Sequence, residues 1–281
     1  MHVRIEHETH YTYDGPIRAL IQMLRMTPRG HEGQHVRRWR IEPSIDGHLR
    51  QDEDELGNIV HHFSADGGAQ SLTLRVVGDV ETVDTAGSVR GAITRAPDLF
   101  FLRETDLTET DEPLQVFARE AADPREGDEL GMLHRLMNGI NETLSFDTEP
   151  THVATTARES FAMRSGVCQD LTHIFIGCAR YLGIPARYVS GYFVRIDGVV
   201  DQDAGHAWAE AKVPGLGWVG FDPANGICIT DAHVRVATGL DYLGAAPIRG
   251  SRWGGGNESM AVNLLVKNAD GESQSRRQNQ G

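Results

Sequence analysis

The sequence predicts an α+β protein in which a β-rich N-terminal unit precedes a core of helices and a β-hairpin. Up to about residue 85, apolar and polar residues alternate in runs separated by turn signals. From about residue 112 the apolar spacing becomes helical, and between residues 204 and 222 alternation returns on both sides of a Pro-Gly turn. On this pattern residues 1–90 form a β-rich region and residues 91–266 a core of helices and strands. Residues 267–281 form a polar tail expected to be disordered.

In the first region the strands are expected over His2–Tyr13, Arg38–Ile45, Ile59–Phe63 and Ser71–Val83. Asp14-Gly15-Pro16, Asp46-Gly47 and Asp66-Gly67-Gly68 punctuate them, which suits antiparallel sheets in a sandwich-like unit. Helices follow over Glu112–Ala122 and Asp128–Glu142, the second with Leu130, Leu133, Leu136, Met137 and Ile140 on one face. Thr155 or Thr156 caps a short helix to Met163, and Glu159 stands three residues beyond Thr156 as a capping box requires. After Gly166, Cys168 opens a helix whose apolar face runs through Leu171, Ile174, Phe175, Cys178 and Leu182. Gly183-Ile184-Pro185 ends it.

Composition narrows the function. Hydrophobic residues at 40% and charged residues at 24% describe an ordinary folded chain. A net charge of −13, from 27 basic and 40 acidic residues, works against binding nucleic acid or an anionic membrane. No apolar run approaches the roughly 20 residues of a membrane span. The alternating N-terminus lacks the continuous apolar stretch of a signal peptide, so the cytoplasm is the expected compartment. Three cysteines make a poor disulfide framework and leave at least one free thiol. His31, His35, His61 and His62 lack metal-ligand spacing, and no metal or cofactor is expected.

Chemistry concentrates in three stretches. In Ser165-Gly166-Val167-Cys168-Gln169-Asp170 the cysteine sits at a helix start. There the unpaired amides and the positive end of the helix dipole favour thiolate, and the same amides can stabilise an oxyanion. Cys178 lies in the middle of an apolar face and Cys228 in an apolar run, so both read as core. Next, Gly205-His206-Ala207-Trp208-Ala209-Glu210 and Gly217-Trp218-Val219-Gly220-Phe221-Asp222-Pro223 flank a turn at Pro214-Gly215 and read as a hairpin. His206 and Asp222 then fall on neighbouring strands, close enough for the carboxylate to orient the imidazole as base toward the Cys168 thiol. Asp170 and His173, three apart on one helix, read as a local pair supporting the Cys168 turn. The glycines of Trp253-Gly254-Gly255-Gly256 read either as a mobile flap or as a plain loop.

These three stretches resemble the core motifs of the transglutaminase-like superfamily, and the β-rich region resembles the N-terminal region of its bacterial branch. Asp241-Tyr242-Leu243-Gly244-Ala245-Ala246-Pro247-Ile248-Arg249-Gly250 is similar to the C-terminal element of that branch. The resemblance implies a papain-like core, with the cysteine helix packed on an antiparallel sheet bearing His and Asp. It carries nucleophile, base and orienting carboxylate onto Cys168, His206 and Asp222. Gln169 and Trp208 are candidate substrate or oxyanion contacts.

Three functions compete. Cys168 attacks an amide of a peptide or protein, and either water resolves the thioester (peptidase, isopeptidase or amidase) or an amine does, as in a protein transglutaminase. The third is a binding module that keeps the fold without chemistry. Water needs no dedicated site, which favours hydrolysis.

Overall fold

The computed structural model describes residues 1–147, 151–195 and 197–270. β1 (His2–Tyr13), β2 (Ile17–Thr27), β3 (Gln34–Pro43), β4 (His48–Glu53), β5 (Ile59–Asp66) and β6 (Ser71–Thr82) build the N-terminal unit, and β7 (Ser88–Val89) leads out of it. α1 (Glu112–Ala122), α2 (Glu129–Thr143), β8 (Ser145–Phe146), α3 (Ala157–Met163), β9 (Ser165–Gly166) and α4 (Cys168–Tyr181) follow. The core sheet takes β10 (Ala186–Phe193), β12 (His206–Val213), β13 (Gly217–Asp222), β14 (Ile227–Cys228) and β15 (His233–Gly239). The remaining elements are β11 (Asp201–Gln202), α5 (Tyr242–Ala245), β16 (Ile248–Gly254) and β17 (Glu258–Asn268).

Two antiparallel sheets, ordered β11-β17-β1-β6-β3 and β16-β2-β5-β4, face each other. Tyr11, Ile17, Leu20, Leu24, Phe63, Leu72, Leu74 and Val76 close the space between them, which makes the expected sandwich. Its membership differs from expectation, because β2 and β4 were not legible. In β2 the buried residues Leu24, Arg25 and Met26 run consecutively across a register shift, which erases the period of two. β4 is polar and almost wholly exposed, and it is held by pairing with β5. The chain also returns: β16 pairs with β2 and β17 pairs with β1, so residues 248–268 complete the N-terminal sheets. Lys267 and Asn268 belong to β17, and residues 271–281 of the expected tail lie outside the described residues.

In the core, α4 packs on β10 and β12 and against α1, α2 and α3. Every residue from Asp170 to Arg180 is buried, and Gly183, at φ +80°, turns the chain out of the helix. Ala207, Ala209 and Ala211 form the sheet face under α4, where small side chains let helix and sheet approach. Trp208, Trp218, Val189 and Phe101 fill the opposite face. Val3, Ile5 and Val80 reach from the sandwich into the core cluster and fuse the two parts.

β15 is an edge strand of the core sheet, and the sandwich covers that edge with side-chain amides. Gln34 Nε2 donates to the Arg235 carbonyl at 2.8 Å, while Gln34 Oε1 accepts from the Arg235 amide at 2.8 Å. Asn58 repeats the arrangement with the carbonyl and amide of Thr238, both at 2.8 Å. Each amide therefore replaces one residue of a missing neighbouring strand. Asn58→Ala is expected to destabilise the protein by about 1–3 kcal/mol for each buried backbone group left unpaired. The chemical denaturation midpoint checks this, and an unchanged midpoint would show the clasp to be idle.

Candidate active site

Cys168 is the first residue of α4 and is partly exposed. The turn before it is fixed from two sides. Asp170 Oδ2 accepts the Val167 amide at 2.9 Å, and the Ser160 hydroxyl donates to the Ser165 carbonyl at 2.8 Å. A Cβ at Gly166 would come within 2.7 Å of both Asp170 Cβ and Ser160 Oγ, so only glycine lets the chain pass here. Thr156 and Glu159 form the expected capping box of α3. Asp170 and His173, by contrast, are not a pair. His173 is wholly buried and its Nε2 accepts the Tyr242 amide at 3.0 Å, whereas Asp170 serves the Val167 turn. Residues three apart on a buried helix met different neighbours before they met each other.

His206 opens β12, and its Nε2 lies 2.7 Å from Asp222 Oδ2. The strands are registered Ala209 to Phe221, so this is a diagonal contact across the open end of the hairpin. Asp222 is wholly buried and saturated with donors. Oδ1 accepts the amides of Ala224 and Asn225 at 3.1 and 3.2 Å, and Oδ2 accepts from Asn225 Nδ2 at 2.7 Å as well as from His206. Burial opposes the charge on Asp222. The His206 imidazolium, with the hydrogen bonds from His206 and His233, outweighs burial and holds the carboxyl well below its usual range.

The same balance acts on His206. Burial works against its proton, yet the Asp222 carboxylate, by charge and hydrogen bond, prevails and lifts the imidazole to about 10. The Cys168 sulfur adds its own hydrogen-bonding and coulombic contribution to that rise. With Nε2 given to Asp222, Nδ1 is the nitrogen left for the thiol. Phe193 packs on His206 with ring centroids 5.1 Å apart, and Trp208, wholly buried, stands 6.1 Å away on the same strand face. Gly191, opposite His206, admits Trp208, since a Cβ there would fall 2.6 Å from the indole ring.

Gln169 Nε2 donates to the Val153 carbonyl at 3.3 Å. Cys178 is wholly buried and burial pushes its thiol up; Cys228 is half-buried and pushed up to about 11 for the same reason. All three cysteines are free. The loop at Gly254–Gly256 is tied to the β1–β2 turn, with Gly15 donating to the Gly255 carbonyl and Asn257 donating to Asp14.

Sequence reasoning missed Asn225 and His233. Asn225 follows an Asp-Pro turn, and its signal was the bare order Asp222-Pro223-Ala224-Asn225. His233 starts β15 eleven residues after Asp222 and carries no motif, yet its Nε2 lies 3.2 Å from Asp222 Oδ2. Among the described residues, His206, Asp222 and His233 are the group whose donor atoms lie within 4.8 Å of one another, a spacing open to a metal. Their N-to-O contacts are hydrogen-bond lengths, so protons already link them.

A thiol at a helix tip lies over an antiparallel sheet presenting imidazole and carboxylate. The chain carries that core and its bacterial companion: residues 117–223 match the transglutaminase-like superfamily, and residues 3–81 match the bacterial transglutaminase-like N-terminal region. An uncharacterized protein of Mycobacterium leprae is 28% identical over 274 residues, 92% of this chain and 96% of the relative. Another, of Mycobacterium tuberculosis, is 26% identical over 275 residues, covering 88% and 86%. A solved structure from Cytophaga hutchinsonii, described as a putative cysteine protease, superimposes with a TM-score of 0.75 at 21% identity, over 96% of this chain and 92% of that one. It shares the whole fold, sandwich included.

Proposed function

We propose that the protein is a cysteine-nucleophile amide hydrolase acting on peptide or protein substrates. The supporting observation is the row formed by Cys168 at the tip of α4, the His206 ring beside it and Asp222 at 2.7 Å behind the ring. Cys168 Sγ, its proton already held by the His206 imidazolium, attacks the amide carbonyl. The Cys168 amide at the start of α4 faces the developing oxyanion. His206 then gives its proton to the departing amine, leaving a thioester on Cys168. Water, deprotonated by His206, releases the acid and restores the thiol. Asp222 stays ionised throughout and holds the imidazole in place.

Peptide-library profiling of the wild type against Cys168→Ala tests the reading and identifies the substrate. A parallel incubation with a glutamine-containing acceptor protein and a fluorescent primary amine is expected to give no stable labelling. Amine incorporation that depends on Cys168 would replace hydrolysis by transamidation.

A further inference from the structure

Asp222 receives a second imidazole that the reaction above does not use. His233 Nδ1 accepts the Thr230 amide at 3.1 Å, and a backbone amide only donates. The neutral ring must then carry its hydrogen on Nε2, which points at Asp222 Oδ2 from 3.2 Å. Oδ2 thus takes hydrogen bonds from three groups, His206, Asn225 and His233.

We propose that His233 is a positioning residue for the triad, sharing Asp222 Oδ2 with His206 so that the carboxylate does not over-stabilise the His206 imidazolium. The proposal rests on the triad reading. A buried carboxylate with few donors concentrates its charge on the one cation beside it. Each neutral donor spreads that charge and loosens the grip. His206 has to surrender a proton to the leaving amine in every cycle, so a tempered Asp222 serves catalysis where a naked one would trap the imidazolium.

The surroundings keep His233 neutral and still. Burial lowers its affinity for a proton, an effect that the Asp222 carboxylate opposes without overcoming. The Phe193 ring lies 4.6 Å from His233 and 5.1 Å from His206, wedged against both. Trp208 meets His233 edge-on at 5.3 Å. The charged or titratable groups facing this nest are His206 on β12, Asp222 on β13 and Cys168 on α4. β15 itself is fastened by the Gln34 and Asn58 amides, so the sandwich has a part in the chemistry: it fixes the strand from which His233 reaches Asp222.

Nuclear magnetic resonance titration of the histidine rings tests the proposal without requiring any substrate. His233→Leu removes the donor at similar bulk and is expected to raise the His206 titration by about one pH unit, the worth of one hydrogen bond to a charged group. His233→Gln can place an amide Nε2–H near Oδ2 and is expected to return the titration toward wild type. A folded His233→Leu protein whose His206 titrates as in the wild type, or lower, overturns the proposal. If the leucine variant does not fold, His233→Asn against His233→Gln decides, because the shorter amide falls short of Oδ2. Equal titrations in that pair also overturn it. Absence of amide cleavage by the wild type would sink the hydrolase reading and leave this titration result intact.

Discussion

Cys168→Ala is expected to reduce amide turnover by about 10⁴-fold or more while leaving the fold and its thermal transition nearly unchanged. The side chain is partly exposed at the end of α4 and packs only on the margin of the core, so its loss removes little buried surface. Its chemistry is not replaceable, because Cys178 is sealed in the core and Cys228 is pushed up to about 11 by burial. Iodoacetamide near neutral pH is accordingly expected to modify Cys168 first in the wild type. The alanine variant should react only slowly. Undiminished turnover in the variant would remove Cys168 from the reaction altogether, whereas equal labelling of all three cysteines would argue against an activated thiol.

Cys168, His206 and Asp222 were readable because each sits where local sequence dictates backbone. Glycine before Cys168 announces a turn, the apolar period after it announces a helix, and the Pro-Gly turn between His206 and Asp222 announces a hairpin. Such signals span a few residues and survive without tertiary information. His233 and Asn225 became legible only through the fold. His233 reaches Asp222 because β15 lies beside β10, and no local pattern encodes which strand neighbours which. The β16 and β17 pairings were not legible for a related reason. Their partners β2 and β1 lie more than 200 residues away in the sequence, and alternation shows that a strand exists without naming its neighbour. Gln34 and Asn58 belong to the same class, since a buried amide standing in for a strand looks like any polar residue in sequence.

The least legible feature of all is the pair of arginines around Glu210, and it carries the largest expected effect on stability. His206, Trp208 and Glu210 follow one another on the same face of β12. Glu210 is wholly buried, between Arg187 directly opposite on β10 and Arg235 on β15. Arg187 Nε donates to Glu210 Oε2 at 2.6 Å and Arg235 Nε to Oε1 at 2.7 Å, while the Arg187 guanidinium lies 4.0 Å from the Trp218 ring centroid. Burial opposes the Glu210 charge, and the two guanidiniums outweigh it, leaving the carboxyl lowered to about 2. A carboxyl lowered in the folded state contributes its full share of stability above its unfolded value of 4.5 and loses it as pH falls toward about 2. Glu210→Ala strips the counter-charge from two buried cations, so a loss of about 3–5 kcal/mol is expected. For a chain of this size that lowers the midpoint of thermal unfolding by roughly 2 °C for each kcal/mol lost. The variant should also lose part of the acid sensitivity of the wild type, because the group that titrates is gone. A variant that melts with the wild type would mean the two arginines find other partners. Because Trp208 stands between Glu210 and His206 on one strand face, folded Glu210→Gln protein should keep the His206 titration near its wild-type position, separating the ion cluster's structural work from the triad's chemistry.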